Sequence, residues 1–360
     1  MTSDDVQIKQ FELTDEAALL SYLGRVYADE PRKSEPDFWR WHFLDNPYTR
    51  ADDVPLWIVK RGAEVVGQAA TILVELQVGG ERTRGIWILD FILQAEYRGR
   101  GLGKRLLLLA REKYPTMMAL GFNEQSGAVL RSLKWEAMGS INRYHKLLFP
   151  GDALGELSRL GPIRQLANLS YAPFRPRRAR LAGQRHAELR PLAEFDASFD
   201  IFWQEAASQW PCAVVRSSAY LNWQFIRQPG KKFDVLGLYK QNRLLGYVVL
   251  FFRRETARGV PPKAAISDLC YGPVNSQAVI DELLKGALRL ALERRAGSLV
   301  TDVLDQRVEE RLRHFGFWRV KSAPRFMVGT LEHQELLYRP ANWFLTRADS
   351  DVSIFEQPNL

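Results

Sequence analysis

The sequence predicts an α/β protein built from two tandem lobes, each a mixed central β-sheet flanked by helices. Three observations carry the prediction. At 360 residues the chain is longer than one hydrophobic core usually supports. Residues 1–150 alternate strand-like and helix-like patterns, the signature of a layered α/β unit. The pattern then returns. Trp41, Phe43, Leu44 and Pro47 of "DFWRWHFLDNP" recur as Trp223, Phe225, Ile226 and Pro229 of "AYLNWQFIRQP", an offset of 182. Gly67 recurs as Gly246 at an offset of 179, and Asp90 as Asp268 at 178. Changes in loop length account for so small a drift. The expected boundaries are a first lobe at 1–150, a basic linker at 151–189, a second lobe at 190–348 and a tail at 349–360.

Each element of the first lobe has a local reason. "VQIKQFEL" alternates as a first strand, and "DEAALLSYLGRVY" has helical spacing behind an aspartate at the cap position. "DFWRWHFL" suits a second helix, and "LWIVKRGAEVVGQAATILVEL" a hairpin with a polar turn. "IWILDFIL" is nearly all apolar, as a strand buried on both faces must be. In "GLGKRLLLLAREKY", Leu102, Leu106, Leu109 and Ala110 fall on one helical face. A strand "TMMALGF", a helix over Asn123–Lys134 and a closing hairpin around "INRYHKLLF" complete the expected lobe.

Composition excludes several classes. The longest apolar run, Leu244 to Phe252, is far short of the roughly 20 residues that span a bilayer, so no membrane partner is expected. The amino terminus has neither the basic nor the apolar segment of a signal peptide. The two cysteines, Cys212 and Cys270, and the five histidines lack metal or redox spacing; the expectation is no metal and a reducing, cytoplasmic setting. Net charge is +8, compatible with an anionic ligand. Much of the excess lies between Tyr171 and Pro191, where Arg175, Arg177, Arg178, Arg180, Arg185 and Arg190 read as a solvated linker or a docking strip.

"EYRGRGLGKRLL" (96–107) joins the buried strand to the amphipathic helix and concentrates glycine and positive charge. It is not a P-loop, because Arg98 stands where the first glycine belongs and Arg105 where the hydroxyl belongs. Nor is it a dinucleotide fingerprint, whose third glycine is replaced by Lys104. Its pattern is R-x-x-G-x-G. The N–H groups opening the helix lack intrahelical acceptors and lie at the positive end of its dipole. Gly99, Gly101 and Gly103 leave room for a phosphate, with Arg98, Arg100 and Lys104 nearby. The arrangement suits a pyrophosphate.

"LDFILQAEYRGRGLGKRLL", followed by "NEQSGAVLRSLKW", resembles the strand–loop–helix signature and later helix of the GNAT superfamily of acyl-CoA N-acyltransferases, over essentially the whole first lobe. The resemblance implies acetyl-CoA or another acyl-CoA as co-substrate. It implies that Phe91, Ile92 and Leu93 meet the pantetheine arm through backbone groups. Gly99, Arg100, Gly101, Leu102, Gly103 and Lys104, with Arg98, would hold the pyrophosphate, and Asn123 would contact the pantetheine end. The family often has a tyrosine seven residues after that asparagine to protonate the leaving thiolate; Leu130 stands there. A general acid typically contributes about 10²–10⁴-fold, so its loss weakens the chemistry without abolishing it.

Asp90 is the candidate base, since a carboxylate in so apolar a strand needs a partner or a purpose; Tyr144 is the candidate replacement acid. A structural aspartate and a core tyrosine are the competing readings. Asp268 recurs in the second lobe, where "LCYGPVNSQ" lacks the phosphate loop, and this lobe is expected to be degenerate. Trp39, Trp41, His42 and Asn46 are candidates for the acceptor side, with core packing the preferred reading of Trp41 because it recurs as Trp223; Asp349 and Asp351 are candidates as well, for which a solvated tail is the alternative. The expected activity is transfer of an acetyl or other short acyl group to a small-molecule primary amine, amino sugars included, with no nucleic-acid partner. Two rivals stand beside it: a FemX-like aminoacyl-tRNA-dependent transferase, and a non-catalytic acyl-CoA sensor.

Overall fold

The computed structural model describes residues 6–149, 187–253, 262–321 and 323–351, with 165, 166, 168 and 169. The first half runs β1 (Gln7–Gln10), α1 (Glu16–Val26), α2 (Pro36–Phe43), β2 (Leu56–Arg61), β3 (Glu64–Val78) and β4 (Glu81–Leu93). It continues with α3 (Leu102–Lys113), β5 (Thr116–Leu120), α4 (Glu124–Ser132), β6 (Glu136–Ser140) and β7 (Asn142–Leu147). The second half follows a similar order, with a strand added between its first two helices and a short helix and strand added at its end. β8 (Glu188–Leu192) and α5 (Ala197–Ala206) lead to β9 (Cys212–Val214), then to α6 (Ser218–Leu221), which runs into a π-helical turn at Asn222–Ile226. β10 (Phe233–Lys240), β11 (Arg243–Arg253), β12 (Lys263–Tyr271), α7 (Ser276–Glu293), β13 (Ser298–Leu304) and α8 (Gln306–His314) follow. β14 (Trp318–Val320), β15 (Arg325–Thr330), α9 (Gln334–Leu337) and β16 (Trp343–Thr346) close the chain. Arg175, Arg177, Arg178, Arg180 and Arg185 of the basic stretch lie outside the described residues; Arg190, on β8, pairs with Glu188 at 2.8 Å.

The helices follow their sequence patterns. α3 buries Leu102, Leu106, Leu107 and Ala110 against the sheet and exposes its cations. One cap differs from expectation: Asp15 makes no side-chain cap to α1. It lies in a short 3₁₀ turn, exchanging hydrogen bonds with Glu12 and pairing with Lys9 and Lys60.

Trp41 and Trp223, the residues related by the sequence offset of 182, touch each other. The Trp41 indole N–H donates to the carbonyl of Trp223 at 2.9 Å, and the Trp223 indole N–H donates to the carbonyl of Trp41 at 2.8 Å. Their rings stack at 5.3 Å. A contact in which residue i meets its own counterpart reciprocally is what a two-fold relation between halves produces.

The expected closing hairpin of the first lobe does not form. Only Ile141 separates β6 from β7, fewer than the two loop residues of the tightest common hairpin. β7 instead crosses over and inserts between β13 and β14, with Tyr144 opposite Thr301 and His145 opposite Trp318. The vacated place between β5 and β6 is taken by β15, with Met327 opposite Ala119. The halves thus exchange equivalent strands. Together with β9 and β16, which bridge β3 to β13, this makes one continuous sheet among the described residues.

Candidate functional site

β4 and β5 run parallel and pair only over Ile86–Ile88 and Met117–Ala119, although β4 continues to Leu93. The register of β4 against β3 slips between Ala69 and Thr71, placing Leu89 and Asp90 opposite Ala70 alone. A bulge of this kind bends the strand. β4 and β5 therefore diverge after Ile88, and the β4 edge facing β5 keeps N–H and C=O groups with no ladder partner. Into the gap opens a cleft of about 860 Å³, lined by both strand ends, the glycine loop and α4.

Most predicted binding residues meet there. Phe91, Ile92, Leu93, Arg98, Gly99, Gly101, Leu102, Gly103, Lys104 and Asn123 all line the cleft. Gly99 and Gly101 have φ of +74° and +73°, a region that costs other residues about 1–2 kcal/mol. Gly101 is the N-cap of α3, and the first intrahelical bond runs from the Arg105 N–H to its carbonyl. The N–H groups of Leu102, Gly103 and Lys104 are thus left to point toward the cleft end of the helix. Gly103 has a different reason from the one expected: a Cβ there would lie 2.6 Å from the Phe91 ring. It permits helix–strand packing rather than phosphate approach. Arg98 lies at the rim, its Nε bonded to the Leu93 carbonyl at 2.9 Å. Arg100 turns away from the cleft and lies over the Tyr97 ring at 5.4 Å. Asn123 caps α4, its Oδ1 accepting from the Ser126 N–H at 2.8 Å. Leu130 lines the cleft as a buried apolar wall.

The catalytic candidates separate. Tyr144 is carried into the second half by β7, where it is 1 % exposed and donates to Glu309 at 2.8 Å. It does not line the cleft, and the core reading holds for it. Asp90 does line the cleft, but Oδ1 accepts from the Tyr27 hydroxyl at 2.8 Å and from Lys33 at 3.1 Å. Burial and the adjacent carboxylate push the Tyr27 hydroxyl far above its ordinary pKa, so it stays a donor. Lys33 also lies 4.0 Å over the Tyr27 ring. Tyr27 and Lys33 were missed in sequence; they come from α1 and the turn after it, with no spacing that relates them to Asp90.

Burial removes Trp39, His42 and Asn46 from the acceptor side, and Trp41 takes the core position that its recurrence as Trp223 indicates. Trp39, Trp41, His42 and Asn46 are all within 2 % of full burial and do not line the cleft. Asn46 bonds the Leu73 carbonyl and the Tyr48 N–H. Burial first, then Lys33 and Arg32, push His42 down to about 3. The reading of Asp349 and Asp351 as a solvated tail also fails. Asp349 is buried against Arg216 at 2.9 Å, and Asp351 is a wall of the cleft. Burial first, then the Asp90 charge, raise Asp351 to about 6 against the opposing pull of Lys33.

The second half has the same splay but fills it. β12 and β13 pair only from Lys263–Ile266 to Ser298–Thr301, with a register slip opposite Ser267. Beside the divergent end of β13 lies β16, Val303 opposite Thr346. Asp268, the counterpart of Asp90, is 1 % exposed and accepts from Tyr247 (2.7 Å), Thr346 (2.7 Å) and Arg216 (3.2 Å). Among the described residues no helix is long and apolar enough to cross a membrane, and no group of three or more His, Cys, Asp or Glu is placed to hold a metal.

Residues 20–129 match the model of the Acetyltransferase (GNAT) family. Several solved structures share the fold. A GCN5-related N-acetyltransferase from Anabaena variabilis is 15% identical, covering 90% of this chain and 72% of its own, with a TM-score of 0.60. One from Kribbella flavida is 17% identical over 94% of this chain and 74% of its own, TM-score 0.57. Saccharomyces cerevisiae N-myristoyltransferase, solved with bound myristoyl-CoA, is 10% identical over 92% and 81%, TM-score 0.58. No curated protein sequence matches the chain.

Proposed function

We propose, from the premise that residues 20–129 form a GNAT-family domain, that the protein transfers an acyl group from acyl-CoA to a primary amine of a small molecule, within the β4–β5 cleft. The carrying observation is the coincidence of a strand splay, an open helix N-terminus with two left-handed glycines, and cationic Arg98 and Lys104 around one cleft. The residues present fit acyl-CoA. The free N–H groups of Leu102 to Lys104 suit the pyrophosphate, and the unpaired edge of β4 at Phe91–Leu93 suits the amides of the pantetheine arm. The thioester would then lie near Asp90, where strand N–H groups stabilise the oxyanion.

In this reading the amine attacks directly while both substrates are bound, and no covalent enzyme intermediate forms. Asp90, anchored by Lys33 and Tyr27, holds the acceptor side of the cleft. Leu130 supplies no proton, so the departing thiolate, of ordinary pKa about 8.5, takes its proton from the attacking nitrogen.

Calorimetric titration of acetyl-CoA into the wild type and into a Gly101→Glu, Gly103→Glu double variant tests the reading, with circular dichroism as the check on folding. Micromolar binding that is lost in the folded variant is the expected result. A folded wild type that does not bind acetyl-CoA overturns the proposal.

A further inference from the structure

The segment after β16 is held in place by a chain of buried polar contacts. Thr346 Oγ1 donates to Asp268 at 2.7 Å, and the Thr346 N–H donates to Asp349 Oδ2 at 2.8 Å. Arg347 donates to Asp302 at 2.7 Å, and Arg143 of β7 donates to the same carboxylate at 2.6 Å. Gln224 donates to the Ala348 carbonyl. Arg216 lies between Asp268 and Asp349, at 3.2 and 2.9 Å. All of these acidic and basic groups except Arg143 are at most 3 % exposed. So dense a clamp gives the segment one path, and Ser350, at φ +66°, turns it into the cleft of the first half. Its next residue, Asp351, lines the same wall as Asp90 and Tyr27.

We propose that Asp351, delivered by this clamp from the second half, is the group that receives the acceptor's ammonium and takes its proton, and that Arg216 is the positioning residue on which that delivery depends. The inference rests on the acyl-transfer reading and names the acceptor as a monocationic primary amine. Charge and geometry support the choice over Asp90. Asp90 is paired with Lys33 at 3.1 Å, and Lys33 also pairs with Glu30 at 3.6 Å, whereas among the described residues Asp351 has no ion pair and its carboxylate accepts from the Ser350 hydroxyl at 3.2 Å. Asp90 of β4 and Lys33 of the turn before α2 act on Asp351 electrostatically, Ser350 is its hydrogen-bond donor, and the cations Arg98 and Lys104 line the same cleft.

The step balances without a co-reactant. An N–H bond of the ammonium breaks and its proton passes to a carboxylate oxygen of Asp351. The freed nitrogen lone pair forms the N–C bond to the thioester carbonyl, and the C–S bond breaks with its electron pair going to sulfur. The nitrogen's surplus proton passes to that thiolate, and Asp351 returns its proton to solvent. The burial that raises Asp351 toward neutrality suits it to this role.

The test measures release of CoA thiol from acetyl-CoA with n-butylamine, 1,4-diaminobutane and glucosamine as probes, for the full-length wild type, Asp351→Asn and Arg216→Lys. Acetyl-CoA affinity is measured in parallel by calorimetry. The expected result is turnover of at least one amine by the wild type, with kcat/KM rising through a pH near 6. Asp351→Asn should lose at least 100-fold in kcat and the pH-6 limb while retaining acetyl-CoA affinity. Arg216→Lys should lower kcat more than it raises KM and displace that limb. A variant at position 351 within threefold of wild type, with the limb intact, overturns the inference and leaves the acyltransferase reading standing. Failure of all three amines in a wild type that binds acetyl-CoA overturns this inference together with the amine assignment and leaves acyl-CoA binding in the cleft standing. Failure to bind acetyl-CoA overturns both. Should Arg216→Lys not fold, Asp351→Asn and its pH profile decide.

Discussion

Asp90 and Asp268 are counterparts in sequence, yet the energetic consequences of neutralising them should differ severalfold. In Asp268→Asn the amide keeps the size of the carboxylate but removes one of the two negative charges facing Arg216, which is 3 % exposed. Breaking a buried pair from one side costs about 3–5 kcal/mol; because Asp349 still faces Arg216 at 2.9 Å, the lower end applies, about 3 kcal/mol. In Asp90→Asn the partner is Lys33, and the side chains are 16% and 11% exposed beside an open cleft. Water and Glu30, 3.6 Å from the Lys33 ammonium, still compensate that charge, so a loss of about 1 kcal/mol is expected. Urea titration followed by the fluorescence of the 10 tryptophans measures both. The Asp268→Asn midpoint should fall several times further than that of Asp90→Asn. Equal midpoint shifts, or a loss under about 0.5 kcal/mol for Asp268→Asn, would refute the claim that the second copy was converted from a cleft into a clamp.

Two further outcomes follow from the geometry. Gly103→Ala places a Cβ 2.6 Å from the Phe91 ring and must push that ring toward the cleft; acetyl-CoA affinity should fall by roughly 10-fold, equivalent to about 1.4 kcal/mol, with the fold retained by circular dichroism, and an unchanged Kd would contradict the packing role of Gly103. His42 is held neutral, its pKa lowered to about 3. The stability this confers is therefore complete above the unfolded value near 6.5 and is lost as pH falls toward 3. His42→Phe should flatten the acid limb of stability by about 1–2 kcal/mol between pH 6 and 4.5, and parallel loss in both proteins would count against it.

Local chemistry made much of the cleft legible. A nearly unbroken apolar run located β4, helical spacing located α3, and the need for side-chain-free backbone at a strand-to-helix turn singled out Gly99 and Gly101. These depend on neighbours within a few residues, where sequence and conformation are tightly linked. The sequence offset that relates Trp41 to Trp223 joins two residues whose indoles donate to each other's carbonyls.

What pairing does at long range was not legible. A strand's hydrogen-bonding edge is the same whichever partner supplies the ladder, so nothing in "INRYHKL" tells that β7 leaves its own half and takes Tyr144 with it. Nor does "TRADSD" reveal that its first aspartate meets Arg216, 133 residues earlier, and its second lines a cleft in the other half. Periodicity and glycine placement act locally and were settled by the chain's own order of residues. Strand exchange, the buried clamp and the carboxylates facing the cleft arise where distant segments compete for the same sheet edges and the same buried charges, and that competition is resolved in the packed fold.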